Sequence, residues 1–232
     1  MKKNKTKFNL KPEFKKNVQI QILISKTSWA VNYKKEILNK LKKFSSDIKI
    51  FHDHKKLKNN YDINIIFSYF KILPQKYLKK SKINLVPHES DLPNGKGMSP
   101  LTWQILKGKK KIIFSLIEAG SKVDAGLIYY QKRVTIPKSS LFDEIKKIQF
   151  NENLKLIIKF IKFYKIRNRA PKGKIQVGKG SFFKSRMPRD SEIKINKSIL
   201  SQFNLLRVAD NKNYPTFFKI NGKKYILKLI KY

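Results

Sequence analysis

Residues 62–69 read D-I-N-I-I-F-S-Y, a nearly continuous run of apolar and β-branched side chains. Such a run is typical of a strand that is covered on both faces, as the strands of a parallel sheet are. Residues 18–24, V-Q-I-Q-I-L-I, and residues 83–86 predict further strands on either side of it along the chain. Apolar side chains at helical spacing within residues 33–44, and a brief helix predicted at 75–79, separate these strands. The alternation predicts an α/β fold with a doubly wound, mostly parallel sheet.

The composition is that of a folded protein without cysteine chemistry. Of the 232 residues, 41% are hydrophobic and 12% are aromatic, which argues against disorder. The absence of cysteine excludes disulfide scaffolds, cysteine-bound zinc, iron–sulfur clusters and thiol nucleophiles. No run approaches the roughly 18 apolar residues of a membrane span. No apolar signal core follows the basic start, so we expect a cytoplasmic protein.

The charge balance is strongly basic. Lys and Arg number 54 against 15 Asp and Glu, which gives a formal net charge of +39. Such a balance is typical of proteins that bind nucleic acid or anionic membranes. Only six of the 54 basic residues are arginine, however, whereas sites that read nucleic acid favour its planar fork. Evenly spread lysine beside abundant Ile and Asn indicates AT-rich codon usage, so we give nucleic acid little weight as a partner.

The second half of the chain predicts a long helix followed by a smaller unit. Residues 153–164 carry one apolar stripe with lysines elsewhere, which favours a helix packed on the sheet over a basic membrane-surface helix. Residues 167–180 are rich in Pro, Gly and Lys and predict a linker or an extended hairpin. Strand-like residues 216–220 and 224–230 surround Asn221-Gly222, a pair typical of tight hairpins.

These patterns divide the chain into three parts. We expect a basic flexible arm at 1–16, a main catalytic domain at 17–170 and a small β-rich C-terminal subdomain at 175–232. The order of the arm and the association of the chain, as a monomer or a homodimer, are left open.

The candidate chemistry lies in the loop that follows the last predicted strand. The first strand–helix turn has no glycine-rich fingerprint, which argues against a dinucleotide there. Ligands of open sheets still gather at the carboxyl ends of the strands, where His88 opens a loop rich in Pro and Gly. Asp124, in V-D-A-G, opens another apolar run, and the two side chains are candidates for an orienting His–Asp pair. His52 and His54 flank Asp53, where loop polarity is favoured over a metal site.

Residues 84–103, N-L-V-P-H-E-S-D-L-P-N-G-K-G-M-S-P-L-T-W, resemble the folate-dependent formyltransferase family. That family shows a His, a Ser two residues later, Leu-Pro, a basic residue before Gly, and then Pro-Leu with a Trp. The matching positions are His88, Ser90, Leu92, Pro93, Lys96, Gly97, Pro100, Leu101 and Trp103. Segments 61–74, 123–126, 185–193 and 205–218 extend the resemblance from about Val18 to the end of the chain. The layout is similar to methionyl-tRNA formyltransferases and, most of all, to nucleotide-amino-sugar N-formyltransferases.

The resemblance implies a Rossmann-like formyltransferase fold and a catalytic Asn-His-Asp set. His88 and Asp124 match the His and Asp positions. The family Asn, two residues before the His, is Val86 here, so Asn84 is the nearest asparagine and is the candidate third member. A further family position, a His seven residues before the Asp, is Ile117 in this chain.

The resemblance also implies the two substrates. The formyl donor would be 10-formyltetrahydrofolate, and no metal is implied. The residues expected to border the folate pocket are Ile72, Leu73, Pro74, Val86 and Asp124. The residues expected to contact the acceptor are Ser90, Lys96 and Trp103.

The acceptor that we expect is a small molecule, the amine of a nucleotide-linked amino sugar used in surface glycan synthesis. Methionyl-tRNA enzymes of the family are longer and carry a basic insertion after the His, for which the segment from His88 to Trp103 leaves no room. A methionyl-tRNA formyltransferase-like enzyme and a basic nucleic-acid-binding protein without catalysis stay open as alternatives.

Overall fold

The computed structural model describes residues 17–232, and the basic arm expected at 1–16 lies outside them. Ten strands are present in that range: β1 (Ile20–Leu23), β2 (Ile48–Phe51), β3 (Tyr61–Ile66), β4 (Ser81–His88), β5 (Lys96–Gly97), β6 (Lys111–Glu118), β7 (Ile128–Thr135), β8 (Phe182–Phe183), β9 (Thr216–Ile220) and β10 (Lys223–Leu227). The helices are α1 (Lys34–Leu41), α2 (Gln75–Leu78), α3 (Pro100–Leu106), α4 (Phe142–Arg167) and α5 (Ile199–Arg207). Short 3-10 turns lie at Trp29–Tyr33, His54–Lys56 and Pro188–Ser191.

Six strands form one mostly parallel sheet in the order β2-β1-β3-β4-β6-β7. The first four are parallel, and every residue of β1 and β3 is buried, which the continuous apolar run at 62–69 predicts for β3. The predicted α/β fold is therefore confirmed. Strand β6 is antiparallel to β4, and β7 is antiparallel to β6, which the sequence did not reveal. Strand β4 also runs to His88, so this residue ends a strand and does not stand beyond it.

Helix α4 is longer than the helix predicted at 153–164. It begins where Glu144 accepts a hydrogen bond from the N–H of Leu141, and it ends at Arg167, before Asn168, whose φ is +49°. Its apolar stripe packs on β4, β6 and β7, while Lys155 and Lys159 face solvent. The interpretation of a helix packed on the sheet is confirmed. None of the helices within residues 17–232 is long and apolar enough to cross a membrane.

The tail is β-rich and contacts the main sheet domain at several points. Strand β8 pairs with β5, helix α5 rests on α3, and Val208 is part of the main core. Strands β9 and β10 form the predicted hairpin, with Asn221 and Gly222 both at positive φ. The division at 170–175 stays a prediction.

Candidate active site

A cavity of about 890 Å³ opens at the carboxyl ends of β1, β3 and β4. Its lining includes Trp29 after β1, the loop of residues 66–73 at the end of β3, and His88 at the end of β4. Asp124, from the loop after β6, lies in the same wall. This is the edge of the sheet at which open α/β folds bind their ligands.

His88 is buried, with only 5% of its surface exposed, and both of its ring nitrogens face defined groups. Nε2 lies 2.8 Å from the carbonyl oxygen of Gly95. Because a carbonyl oxygen only accepts hydrogen bonds, Nε2 carries the proton and donates it to Gly95. Nδ1 lies 3.7 Å from Oδ2 of Asp124. The structure therefore brings the predicted pair together, and in the neutral ring the lone pair of Nδ1 is on the Asp124 side.

Asp124 is held by its backbone as well as by its carboxylate. Its φ is +48°, in the left-handed region, and its Oδ2 accepts a hydrogen bond of 2.8 Å from the N–H of Gly97. The side-chain amide of Gln176 donates to the carbonyl oxygens of Asp124, at 2.8 Å, and of Gly126, at 2.9 Å. A Cβ on Gly126 would lie 1.9 Å from the carbonyl oxygen of Glu118, so only glycine allows this loop to pack against β6.

Strand β8 fixes the segment that supplies Gly95 and Gly97. The N–H of Lys96 donates to the carbonyl of Ser181, at 2.9 Å, and the side chain of Ser181 accepts from the N–H of Gly95, at 3.0 Å. Gly97 has a φ of +91°, and a Cβ there would lie 2.4 Å from the carbonyl oxygen of Phe183. The pairing of β5 with β8 thus sets the groups that orient the His–Asp pair.

The segment predicted as a linker or hairpin packs across this site as extended chain. Lys174 pairs with Ile128 at the start of β7 through two backbone hydrogen bonds of 2.8 and 2.9 Å. Gln176, two residues further on, holds the Asp124 loop. Neither a free linker nor a hairpin is present at this point of the chain.

Some of the predicted folate-pocket residues line the cavity. Ile72, Leu73 and Val86 do, together with Asp124. Pro74 precedes helix α2, is exposed and is not part of the lining. Val86 is the direct cross-strand partner of Ile117, and the two pack with Leu92 and Ile128. The two positions at which this chain departs from the family pattern are therefore adjacent and form one apolar contact.

Asn84 is not brought to His88, which corrects its assignment as third member of the catalytic set. Its Nδ2 donates to the carbonyl of Leu78, at 2.9 Å, and its Oδ1 accepts from Nδ2 of Asn64, also at 2.9 Å. Strand β4 pairs with β3 in regular register through Asn84, so no bulge moves this side chain. Four residues along a strand are about 13 Å, too far for direct contact.

The three predicted acceptor residues also lie outside the cavity lining. Ser90 is 1% exposed and its carbonyl accepts from the hydroxyl of Ser115, at 2.7 Å. Nζ of Lys96 lies 5.8 Å from the centre of the Phe182 ring. Nε1 of Trp103 donates to the carbonyl of Lys184, at 2.8 Å. Because they point into the loop and the tail, these side chains support the site without reaching the space beside His88.

Helix α4 contributes polar cavity residues that the sequence analysis missed. Lys146, Gln149 and Asn153 line the cavity from one face of α4. Nζ of Lys146 donates to Oε1 of Gln149, at 2.9 Å, and Nδ2 of Asn153 donates to Oε1 of Glu89, at 2.6 Å. Burial lowers the pKa of Lys146 to about 8, with a further lowering from Arg186. The helical spacing of the polar residues 146, 149 and 153 is the only sequence signal that could have identified this face.

The remaining histidines make local hydrogen bonds. Nδ1 of His52 lies 2.9 Å from the carbonyl oxygen of Ile24, and Nδ1 of His54 lies 2.8 Å from the hydroxyl of Tyr69. Within the part of the chain that the structure describes, no group of three or more His, Asp or Glu side chains is placed to hold a metal ion.

The sequence of this chain matches a known protein family. Residues 31–161 match the family described as Formyl transferase. Methionyl-tRNA formyltransferase of Lactobacillus johnsonii is 30% identical over 171 residues, which are 71% of this chain and 52% of that protein. GDP-perosamine N-formyltransferase of Brucella melitensis is 25% identical over 187 residues, 74% of this chain and 66% of that protein. The chain thus spans about half to two thirds of the length of these relatives.

Solved structures share the fold at lower identity. Methionyl-tRNA formyltransferase from Clostridium thermocellum has a TM-score of 0.76 at 19% identity, over 91% of this chain and 92% of that one. HypX from Aquifex aeolicus, in complex with tetrahydrofolic acid, has a TM-score of 0.72 at 17% identity, over 92% of this chain and 38% of that one.

Proposed function

Because the chain belongs to the formyl transferase family, we propose that it is an enzyme that transfers a formyl group from 10-formyltetrahydrofolate to the primary amine of a nucleotide-linked amino sugar. The observation that carries this proposal is the His88–Asp124 pair at the wall of the cavity. We place the reaction in the cytoplasm, the setting expected from the sequence.

The cavity wall beside the pair fits a flat heterocyclic donor. The loop after β3 exposes apolar side chains at the cavity, with Ile72 70% exposed and Phe70 49% exposed. Large apolar side chains that stay exposed beside a cavity favour a ligand that covers them. Leu73 and Val86 continue the apolar surface towards His88. The donor, when bound there, supplies a formyl group on a nitrogen that can leave.

His88 has the geometry of a proton acceptor for the attacking amine. The amine must lose a proton as it forms the new bond to the formyl carbon. With Nε2–H donating to Gly95, the free lone pair is on Nδ1, which can take that proton. The resulting N–H lies on the side of Asp124, and the positive charge of the imidazolium stabilises the negative charge that develops on the formyl oxygen. His88 would thus serve first as base and then as acid, because the proton it has taken passes to the folate nitrogen as the bond between that nitrogen and the formyl carbon breaks and tetrahydrofolate leaves.

Asp124 supports the charged form of His88 and is fixed for that task. Its Oδ2, 3.7 Å from Nδ1, is negative where the imidazolium forms, and Gly97 holds the carboxylate in place. Val86 lies two residues before His88 on the same face of β4, and its contact with Ile117 makes the neighbouring cavity wall apolar. In drier surroundings the attraction between the imidazolium and the carboxylate is stronger.

An amino sugar is favoured as acceptor by the compact loop after His88. Residues 88–103 contain strand β5, which is closed by pairing with β8, and helix α3 begins at Pro100. The similarity to GDP-perosamine N-formyltransferase supports the same class of acceptor. Methionyl-tRNA is the second candidate, because of the similarity to methionyl-tRNA formyltransferases and the formal charge of +39.

The test is a formylation assay that compares acceptors directly. The protein and 10-formyltetrahydrofolate are mixed with one acceptor at a time: a GDP-, dTDP- or UDP-linked amino sugar, or methionyl-tRNA. The products are identified by mass spectrometry. We expect the mass of one formyl group on an amino sugar. If formyl-methionyl-tRNA is the sole product, the acceptor is methionyl-tRNA and not an amino sugar. Absence of any formylated amine, with binding of RNA that falls steeply with salt, would favour the nucleic-acid alternative.

A further inference from the structure

Lys146 is a cation in the cavity wall that has no ion-pair partner among the residues that the structure describes. Its Nζ lies 5.0 Å from the centre of the Trp29 ring and 5.4 Å from that of Phe142, and it donates to Gln149. Within residues 17–232, no carboxylate oxygen lies within 4.0 Å of this Nζ. A half-buried ammonium group with aromatic neighbours and one neutral hydrogen-bond acceptor has donor capacity to spare.

Arg186 lines the same cavity and is also incompletely satisfied. Its Nη2 donates to the carbonyl of Asp190, at 2.9 Å, and to the hydroxyl of Ser191, at 3.3 Å. Its Nε is buried and has no hydrogen-bond partner in the described part of the chain. The carboxylate of Asp190 is engaged by the N–H of Met187, at 2.7 Å. The remaining nitrogen, Nη1, makes no hydrogen bond within residues 17–232 and is the donor left for a ligand.

The carboxylates nearest to these cations are engaged elsewhere. Glu89 and Asp210 act on Lys146 only as more distant charges. Oε1 of Glu89 accepts from Asn153, at 2.6 Å. The carboxylate of Asp210 accepts from the side chain of Asn213, at 2.8 Å, and from two backbone N–H groups. The positive charge of Lys146 and Arg186 is therefore not neutralised by direct contacts, and an anion in the cavity would complement it.

We propose that Lys146 and Arg186 bind a phosphate group of the acceptor, in the same cavity as His88. The inference rests on the proposed function only for the identity of the molecule that carries the phosphate. Phosphate suits the two groups because a guanidinium edge and an ammonium group both donate charge-assisted hydrogen bonds to its oxygens. Lys96, the cation named from the sequence, lies against Phe182 outside the lining, so the phosphate site is formed by α4 and the tail.

The test measures binding of inorganic pyrophosphate by calorimetry, without donor or amine. Lys146→Gln removes the charge and keeps a polar side chain. Lys147→Gln is the matched control, since Lys147 is the next residue of α4, is exposed and does not line the cavity. We expect Lys146→Gln and Arg186→Gln each to weaken binding about tenfold or more, since a charge-assisted hydrogen bond is lost. Lys147→Gln should bind as the wild type does, and Lys146→Arg should retain most of the affinity.

Three results would overturn the proposal. The first is no binding of pyrophosphate by the wild type, and the second is an equal loss in the Lys147→Gln control, which would indicate general attraction to a basic protein. The third is a loss of tetrahydrofolate binding in Lys146→Gln with pyrophosphate binding unchanged, because the cations would then serve the carboxylates of the donor. Specific pyrophosphate binding in a protein that formylates no amine would support this site and count against the proposed reaction.

Discussion

Replacing Gly97 with alanine tests whether strand β8 holds the His–Asp pair in place. A Cβ at this position would lie 2.4 Å from the carbonyl oxygen of Phe183, a backbone atom that moves only if β5 and β8 separate. Separation weakens two backbone hydrogen bonds, from Lys96 to Ser181 at 2.9 Å and from Met98 to Phe183 at 3.1 Å. Each is worth about 1 kcal/mol, and alanine at positive φ costs about 1 kcal/mol more. We expect Gly97→Ala to lower the free energy of unfolding by about 3 kcal/mol.

Gly108→Ala is the matched control, and urea unfolding is the assay. Gly108 also has a positive φ, of +79°, but a Cβ there meets no atom within 4 Å. Its substitution isolates the cost of the left-handed backbone, about 1 kcal/mol. Formyl transfer should fall at least tenfold in Gly97→Ala, because its N–H orients Asp124, and stay unchanged in Gly108→Ala. Equal losses of stability in Gly97→Ala and Gly108→Ala would refute the view that β8 packs directly against Gly97.

Two further predictions concern Gln176 and Lys146. Gln176→Leu leaves the carbonyl oxygens of Asp124 and Gly126 without their hydrogen-bond donor. We expect kcat to fall about tenfold, while the free energy of unfolding falls by only about 1–2 kcal/mol. An unchanged kcat would show that the Asp124 loop does not need this amide. Lys146→Met should raise the free energy of unfolding at pH 7 by about 2–3 kcal/mol, because burial lowers the pKa of Lys146 from 10.5 to about 8. Below pH 8 the charge on Lys146 lowers the stability of the folded protein by its full amount. As the pH rises from 8 to 10.5 the folded protein loses this proton before the unfolded chain does, so the stability advantage of Lys146→Met should shrink. Urea titrations that give the same stability difference between variant and wild type at pH 7 and pH 10 would contradict the lowered pKa of Lys146.

The sheet could be predicted from the sequence because burial on both faces leaves a continuous apolar run. The run at 62–69 contains β3 on that principle, whereas β1 was predicted from the strand-like pattern of residues 18–24. The directions of β6 and β7 did not follow from it, since an apolar run does not show whether a strand is parallel or antiparallel to its neighbour. Helix α4 was predicted only at residues 153–164, where its apolar stripe is regular. Its first turns have polar residues such as Lys146 facing the cavity, so the apolar stripe is interrupted there.

The candidate site was predicted in part, and the limit was the direction of side chains. His88 and Asp124 lie close together because His88 ends β4 and Asp124 is in the loop after β6, and both line one cavity. Lys96 and Trp103 lie in the right loop but point into the tail, which spacing along the chain does not reveal. Gln176 was beyond prediction, because its role depends on a contact with Asp124 across 52 residues of sequence.

The most direct test of the central claim is the release of tetrahydrofolate from 10-formyltetrahydrofolate in the presence of a nucleotide-linked amino sugar, measured for His88→Asn and His52→Asn. His52 is the matched control, since its Nδ1 also contacts a backbone carbonyl, at 2.9 Å, and it lies outside the main cavity. A proton acceptor in the reaction is worth about 10²–10⁴-fold in rate. We predict a loss of that size in His88→Asn and wild-type release in His52→Asn. Equal rates in the wild type and His88→Asn would contradict the account.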